Sequence, residues 1–179
     1  MILSEKIVNT DKYAGCVDII TGIEDFDTPD LTYNEEWHTY RFKGKIIPSV
    51  TQLLDDGTYI GIPEEILKYA QERGTLVHKE IEDYLKRQEK GYTDEFWEFM
   101  SIYTTEQEKF LEKAIFDIKT YAKATKKNKE KCLEQEILYA KAIEYLTGKK
   151  IEKFYMIHLP KNGKGKLIEL EEENGNSEQ

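Results

Sequence analysis

Cysteine is scarce in this chain: two among 179 residues, Cys16 and Cys132. They lie far apart and neither has a C-x-x-C neighbour, so neither a zinc knuckle nor an iron–sulfur site is supported. A structural disulfide between them does not suit a reducing compartment. Long apolar runs are lacking too. No stretch reaches the roughly 18 apolar residues that a membrane-spanning helix needs, and the opening MILSEKIVNTDKY turns polar too early for a signal peptide. These absences lead to the expectation of a cytoplasmic protein with no membrane partner. Arginine is also rare, with Arg41, Arg73 and Arg87 the only three of 26 basic residues. Internal repeats and long linkers are missing. What is present is enough for one well-cored domain: 39% of the residues are hydrophobic, over a length too short for two large domains.

Net charge is −9, which as a whole-chain figure argues against non-specific nucleic-acid binding. The charge is uneven, however. KATKKNKEK (123–131) holds five lysines against one glutamate, and PKNGKGK (160–166) holds three lysines and no acid. An acidic protein with such basic patches can still bind DNA, above all where divalent metal offsets its carboxylates. Residues 172–179 read as a frayed acidic tail.

Along the chain, KIVNT and CVDII read as a β-hairpin, TPDL (28–31) as a connector, and HTYRFKGKIIPSV as a second hairpin turning at Lys43-Gly44. Ser49 or Thr51 caps a short helix. Pro63 opens a helix that Gly74 is expected to stop, and a second helix follows from Thr75 with Val77, Ile81, Tyr84 and Leu85 as its apolar stripe. Thr93 caps a third helix, running to about Leu111. AIFDIKT reads as a strand, and residues 128–147 as a long helix with Cys132, Ile137, Leu138, Ile143 and Leu146 inward. KFYMIHL and KLIEL form a hairpin about Asn162-Gly163. The order strands, helices, strand, helix, strands gives an α+β domain over residues 1–171.

Within this frame, Asp117 and Lys119 fall on one face of the AIFDIKT strand, because strand side chains repeat every two residues. That pair reads either as a plain ion pair or as half of a metal site. Asp18 sits in the otherwise apolar GCVDII (15–20) and must be exposed at a strand end, paired, or metal-bound. His78 reads as a helix residue facing water or Glu82. His38 and His158 are weaker candidates, His158 reading as structural or bonded to backbone. Gln135 and Tyr139, four apart on one helix face, read as a solvated edge or as groups that touch phosphates or bases.

Taken together, PSVTQLL (48–54), RGTLVH (73–78), YAGCVD (13–18), FDIKT (116–120) and QEILY (135–139) resemble the motif set of the PD-(D/E)XK nuclease superfamily. The likeness is to the RecB- and Cas4-like exonuclease branch of bacteria and their phages. The resemblance implies a restriction-endonuclease-like core, a mixed central β-sheet flanked by helices. It implies a Mg²⁺- or Mn²⁺-dependent deoxyribonuclease acting in DNA recombination, repair or processing, with DNA and conceivable recombination proteins or further copies of itself as partners. On the matched positions, His78, Asp18, Asp117 and the carbonyl of Ile118 hold metal, and Lys119 acts with Asp117 and Asp18 in catalysis. Gln135 and Tyr139 position DNA, with the nearby Lys126 and Lys127 following its backbone, and Glu5 matches a further acidic position. The iron–sulfur members of the branch use four cysteines, so two exclude a cluster. The order of the motifs differs from the family: the G-x-x-D hairpin comes first here. It can still pair with FDIKT, since neighbours in a sheet need not be neighbours in sequence. The alternative reading is a nucleic-acid-binding or partner protein that keeps the nuclease fold without catalysis.

Overall fold

A computed structural model describes residues 18–20, 30–34, 39–54 and 62–171. Two sheets are formed. The smaller is an antiparallel meander of β2 (Leu31–Asn34), β3 (Thr39–Phe42) and β4 (Lys45–Ile47). β3 and β4 turn at Lys43 and Gly44, both at positive φ, as the Lys-Gly pair predicts. β2 starts at Leu31, the last residue of the expected connector, and continues over residues that the sequence reading assigns to no element; it forms because Leu31 to Asn34 find a full ladder on β3. A one-turn helix, α1 (Val50–Leu53), follows. Ser49 caps it in a reciprocal capping box with Gln52.

The larger sheet has the order β1-β5-β6-β7, with β1 (Asp18–Ile20), β5 (Ala114–Lys119), β6 (Lys153–His158) and β7 (Lys166–Leu170). β5 and β6 are parallel and joined through α4 (Lys126–Thr147); the other two pairings are antiparallel. Helices cover both faces. Val77, Ile81 and Leu85 of α2 (Glu64–Arg87) and Phe96, Phe99 and Ile102 of α3 (Asp94–Thr105) pack on Ala114, Phe116 and Ile118 of β5 and on Tyr155 and Ile157 of β6. The alternate residues, Ile115 and Met156, meet α4 through Ile143 and through Cys132 and Leu133. A strand covered on both faces has few polar positions, which accounts for the near-continuous apolar run in AIFDIK. The mixed α/β architecture is therefore as expected.

Two helix boundaries differ from the sequence reading. Gly74 does not stop a helix: α2 runs unbroken through it for 24 residues and ends at Gln88, which takes the left-handed conformation. A mid-helix glycine costs about 1 kcal/mol, which the long buried stripe beyond it outweighs. α3 ends at Thr105 and not near Leu111. The Thr104 and Thr105 hydroxyls donate back to the carbonyls of Met100 and Ser101, each at 2.8 Å. Such back-bonding favours helix ends, and a separate 3₁₀ turn covers Lys109–Leu111. The first strand of the expected N-terminal hairpin lies outside the described residues. Among the described residues, no helix is long and apolar enough to cross a membrane.

Candidate active site

β5 carries the centre of the site. Its odd-numbered residues face α4, so Asp117 and Lys119 share that face, as the two-residue period requires. The Asp117 carboxylate is buried, and its Oδ2 lies 2.7 Å from Lys119 Nζ. Lys119 donates on its other side to Gln135 Oε1 at 3.1 Å, and the Gln135 amide donates to the Tyr139 hydroxyl at 3.3 Å. Gln135 is thus not a solvated edge. It is buried, and with Tyr139 it forms a relay of hydrogen bonds that fixes the lysine. Burial opposes the Lys119 charge, but Asp117 beside it outweighs that and holds the ammonium well above its ordinary pKa.

β1 supplies the second acidic position. Its register sets Asp18 directly opposite Asp117, across about a hundred residues of chain. Positions directly opposite in an antiparallel pair share one face of the sheet, with Cα atoms about 4.5–5.5 Å apart. Asp18–Ile20 therefore pairs with the FDIKT strand.

α2 supplies His78. It faces neither water nor Glu82 alone: Nε2 lies 2.9 Å from the Ile118 carbonyl. That carbonyl is available because the next one, of Lys119, points the other way and accepts from Leu159 N at 2.8 Å. A carbonyl only accepts, so Nε2 is the protonated nitrogen in this arrangement. Burial lowers the His78 pKa, with Asp117 opposing and Lys119 assisting, so the ring is neutral near pH 7.

Arg73 locks the same helix to the strand ends. Its Nε pairs with buried Glu95 at 2.8 Å, and one terminal nitrogen donates to the carbonyls of Thr120 (3.1 Å) and Leu159 (3.4 Å). The helix passes the strand end at Gly74, with Thr120 Oγ1 3.5 Å from where a Cβ would stand, an ordinary contact distance.

Two residues behind Asp117 were not singled out in the sequence as site groups. The Cys132 thiol donates to Asp117 Oδ2 and to Glu136 Oε1, each at 3.4 Å. Ligand atoms of Asp117, Cys132 and Glu136 all lie within 4.8 Å of one another. Burial, then the two carboxylates, raise the thiol's pKa far above its usual range, so it stays protonated. Cys132 and Glu136 are four apart on α4, the same spacing as Gln135 and Tyr139, and that spacing was the available signal.

His158 is structural, as expected, with Nε2 2.8 Å from the Tyr121 carbonyl. Lys126 and Lys127 are exposed in the first turn of α4, which has no acidic residue there. Glu5 and His38 lie outside the described residues. Because β5 and β6 are parallel, their C-terminal ends, the start of α4 and the β6–β7 loop occupy one edge of the sheet. Both lysine-rich segments therefore flank the end of the sheet where Lys119 sits. A cleft between α3 and β7, lined by Glu98, Ile102, Tyr155 and Glu169 and by Lys164 and Lys166 of the β6–β7 segment, is not lined by Asp117, Lys119, His78 or Gln135. Comparison with protein-family models, curated proteins and solved structures finds no match.

Proposed function

We propose that this chain is a metal-dependent deoxyribonuclease of the restriction-endonuclease-like kind, acting on DNA ends in phage or bacterial DNA processing. The observation that carries the reading is the register of Asp18 opposite Asp117, beside the His78–Ile118 contact. It gathers, around one strand end, groups that lie about a hundred residues apart in sequence. It supports catalysis over a fold that only binds, because two acidic positions then stand on neighbouring strands.

The donor set fits a hard divalent cation. The end of β5 carries a buried carboxylate, Asp117, and next to it a main-chain carbonyl to which a neutral imidazole is bonded, and oxygen donors with one nitrogen suit Mg²⁺ or Mn²⁺. Asp117, the Ile118 carbonyl, His78 and Asp18 would hold the ion. When bound, the ion supplies a water of lowered pKa and positive charge at the scissile phosphate. An imidazole ligates through an unprotonated nitrogen, so to hold the ion through Nε2 His78 would carry its proton on Nδ1 and give up its bond to Ile118. The thiol of Cys132 stays protonated between its two carboxylates and leaves the oxygen donors to set the preference for metal.

Lys119 is a fixed positive charge and not a base, since Asp117 keeps it protonated. Its part is to stabilise the charge that develops on the phosphate, and groups of this type supply about 10²–10³ in rate. Gln135, held by Tyr139, sets the direction of the ammonium. Lys126 and Lys127 at the start of α4 meet the DNA backbone. The test is hydrolysis of end-labelled DNA with Mg²⁺ or Mn²⁺. Lys119→Ala is expected to lose at least about a hundredfold in rate; equal hydrolysis by wild type and variant sinks the enzyme reading.

A further inference from the structure

The β6–β7 loop is the second lysine-rich segment, and its placement has a consequence for the substrate. It is held and does not wave in solvent. Gly165 N donates to Glu98 Oε2 at 2.8 Å, and a Cβ at Gly165 would stand 3.1 Å from Glu98, Ile102 and Leu159 side chains. From this anchored loop Lys161 reaches across to α2. Its Nζ donates to the Tyr69 hydroxyl and lies 4.6 Å from the centre of the Tyr69 ring. Tyr69 is 52% exposed, with exposed Ile66 three residues before it. It lies four residues before Arg73, hence on the flank of the helix that Arg73 ties to the carbonyls of Thr120 and Leu159. Tyr69 is nine residues from His78, about 13–14 Å along the helix axis.

We propose that Tyr69 and Lys161 form a clamp for single-stranded DNA at the rim of the site, a base stacking on the ring while its phosphate meets the ammonium. Three physical points favour the clamp, and the first of them favours a single strand over a duplex. An exposed aromatic ring offers a π-face, which only an unpaired base can cover fully. Lys161 already sits at the hydroxyl end of the ring, so the open ring face and the charge are presented together. PKNGKGK holds three lysines and no acid, and like the lysines at the start of α4 it follows the C-terminal end of a strand of the parallel β5–β6 pair. A strand crossing from α4 to the β6–β7 loop passes the end of β5, and the clamp holds it a few nucleotides from the reacting phosphate. The place of the reacting phosphate rests on the nuclease reading; the clamp itself does not.

Anisotropy of a labelled oligothymidylate of about 20 nucleotides, in EDTA so that nothing is cut, tests it against a duplex of equal length. Tyr69→Ala should weaken oligothymidylate binding about tenfold, and Tyr69→Phe should restore it. Duplex binding should be unaffected by Tyr69→Ala. Lys161→Ala should reduce the slope of log K against log salt by about 0.7. Wild-type affinity in Tyr69→Ala, equal loss in the Phe variant, or equal loss on duplex overturns the clamp. So does a wild-type chain that fails to bind the oligothymidylate. Hydrolysis is scored separately with Mn²⁺. Binding that depends on Tyr69 without hydrolysis keeps the clamp and sinks the nuclease; hydrolysis with binding indifferent to Tyr69 does the reverse.

Discussion

Three groups converge on the Glu112 carboxylate, at the opposite end of β5 from Lys119. The Tyr155 hydroxyl donates to Oε2 at 2.7 Å, Lys153 Nζ lies 3.1 Å from the same oxygen, and Lys109 Nζ lies 3.8 Å from Oε1. The Tyr155 bond foremost, with Lys153 and Lys109 adding to it, holds the Glu112 pKa below its ordinary 4.5 against the opposing effect of burial. A carboxylate whose folded pKa is depressed contributes stability above its unfolded pKa and loses it as pH falls towards the folded one. Melting temperature should therefore fall with acid below about pH 4.5 through this group. Glu112→Gln should flatten that part of the acid limb and lower the melting temperature at neutral pH. Calorimetry from pH 3 to 7 checks both; an unchanged acid limb means that other groups carry it. Residues whose role depends on one strand's alternation were legible in the sequence, as with Asp117 and Lys119. Gln135 was not, because a helical glutamine declares nothing about the buried lysine it will meet. His78 had the same difficulty, since its partner is a backbone carbonyl forty residues away.

At the scale of elements, Gly74 separates what composition says from what packing decides. Glycine is a good helix stop only where the chain takes positive φ, and here it does not. It serves instead as a close contact, and the space beside it is only just enough for a methyl group: 3.5 Å to Thr120 Oγ1 is ordinary van der Waals contact. Gly74→Ala should then stabilise the protein by about 0.5–1 kcal/mol, by removing backbone freedom from the unfolded chain. Urea unfolding measures it. A loss of stability would mean that Thr120 cannot accommodate the methyl group and that the approach of α2 to the end of β5 is tighter than ordinary contact. The elements that were legible had local markers: the Thr93 cap, the Lys43-Gly44 turn, the Asn162-Gly163 hairpin and the apolar AIFDIK. β2 and the end of α3 had none, the first existing through its ladder with β3 and the second through back-bonding hydroxyls.

For the molecule as a whole, the decisive event is a pairing across about a hundred residues of chain. Pattern and motif point to strands at Asp18–Ile20 and Ala114–Lys119, but not to their being neighbours, because register over such a distance is fixed by the whole sheet and not by any local turn. β1 performs two tasks that can be separated: it covers the edge of β5 and it brings Asp18 to Asp117. Deleting residues 1–23 removes both. An uncovered edge on a strand as apolar as AIFDIK is a template for intermolecular pairing, so the shortened chain should form larger species with rising concentration on size exclusion. Asp18→Asn removes only the charge. That variant should keep the wild-type elution and melting temperature while its Mn²⁺ affinity, read by titration calorimetry, falls by more than about tenfold, since losing a ligand should cost at least what losing a ligand's supporting partner does. If Asp18→Asn binds Mn²⁺ as wild type does, position 18 covers an edge and nothing more, and the oxygen donors at the end of β5 must be completed from elsewhere in the chain.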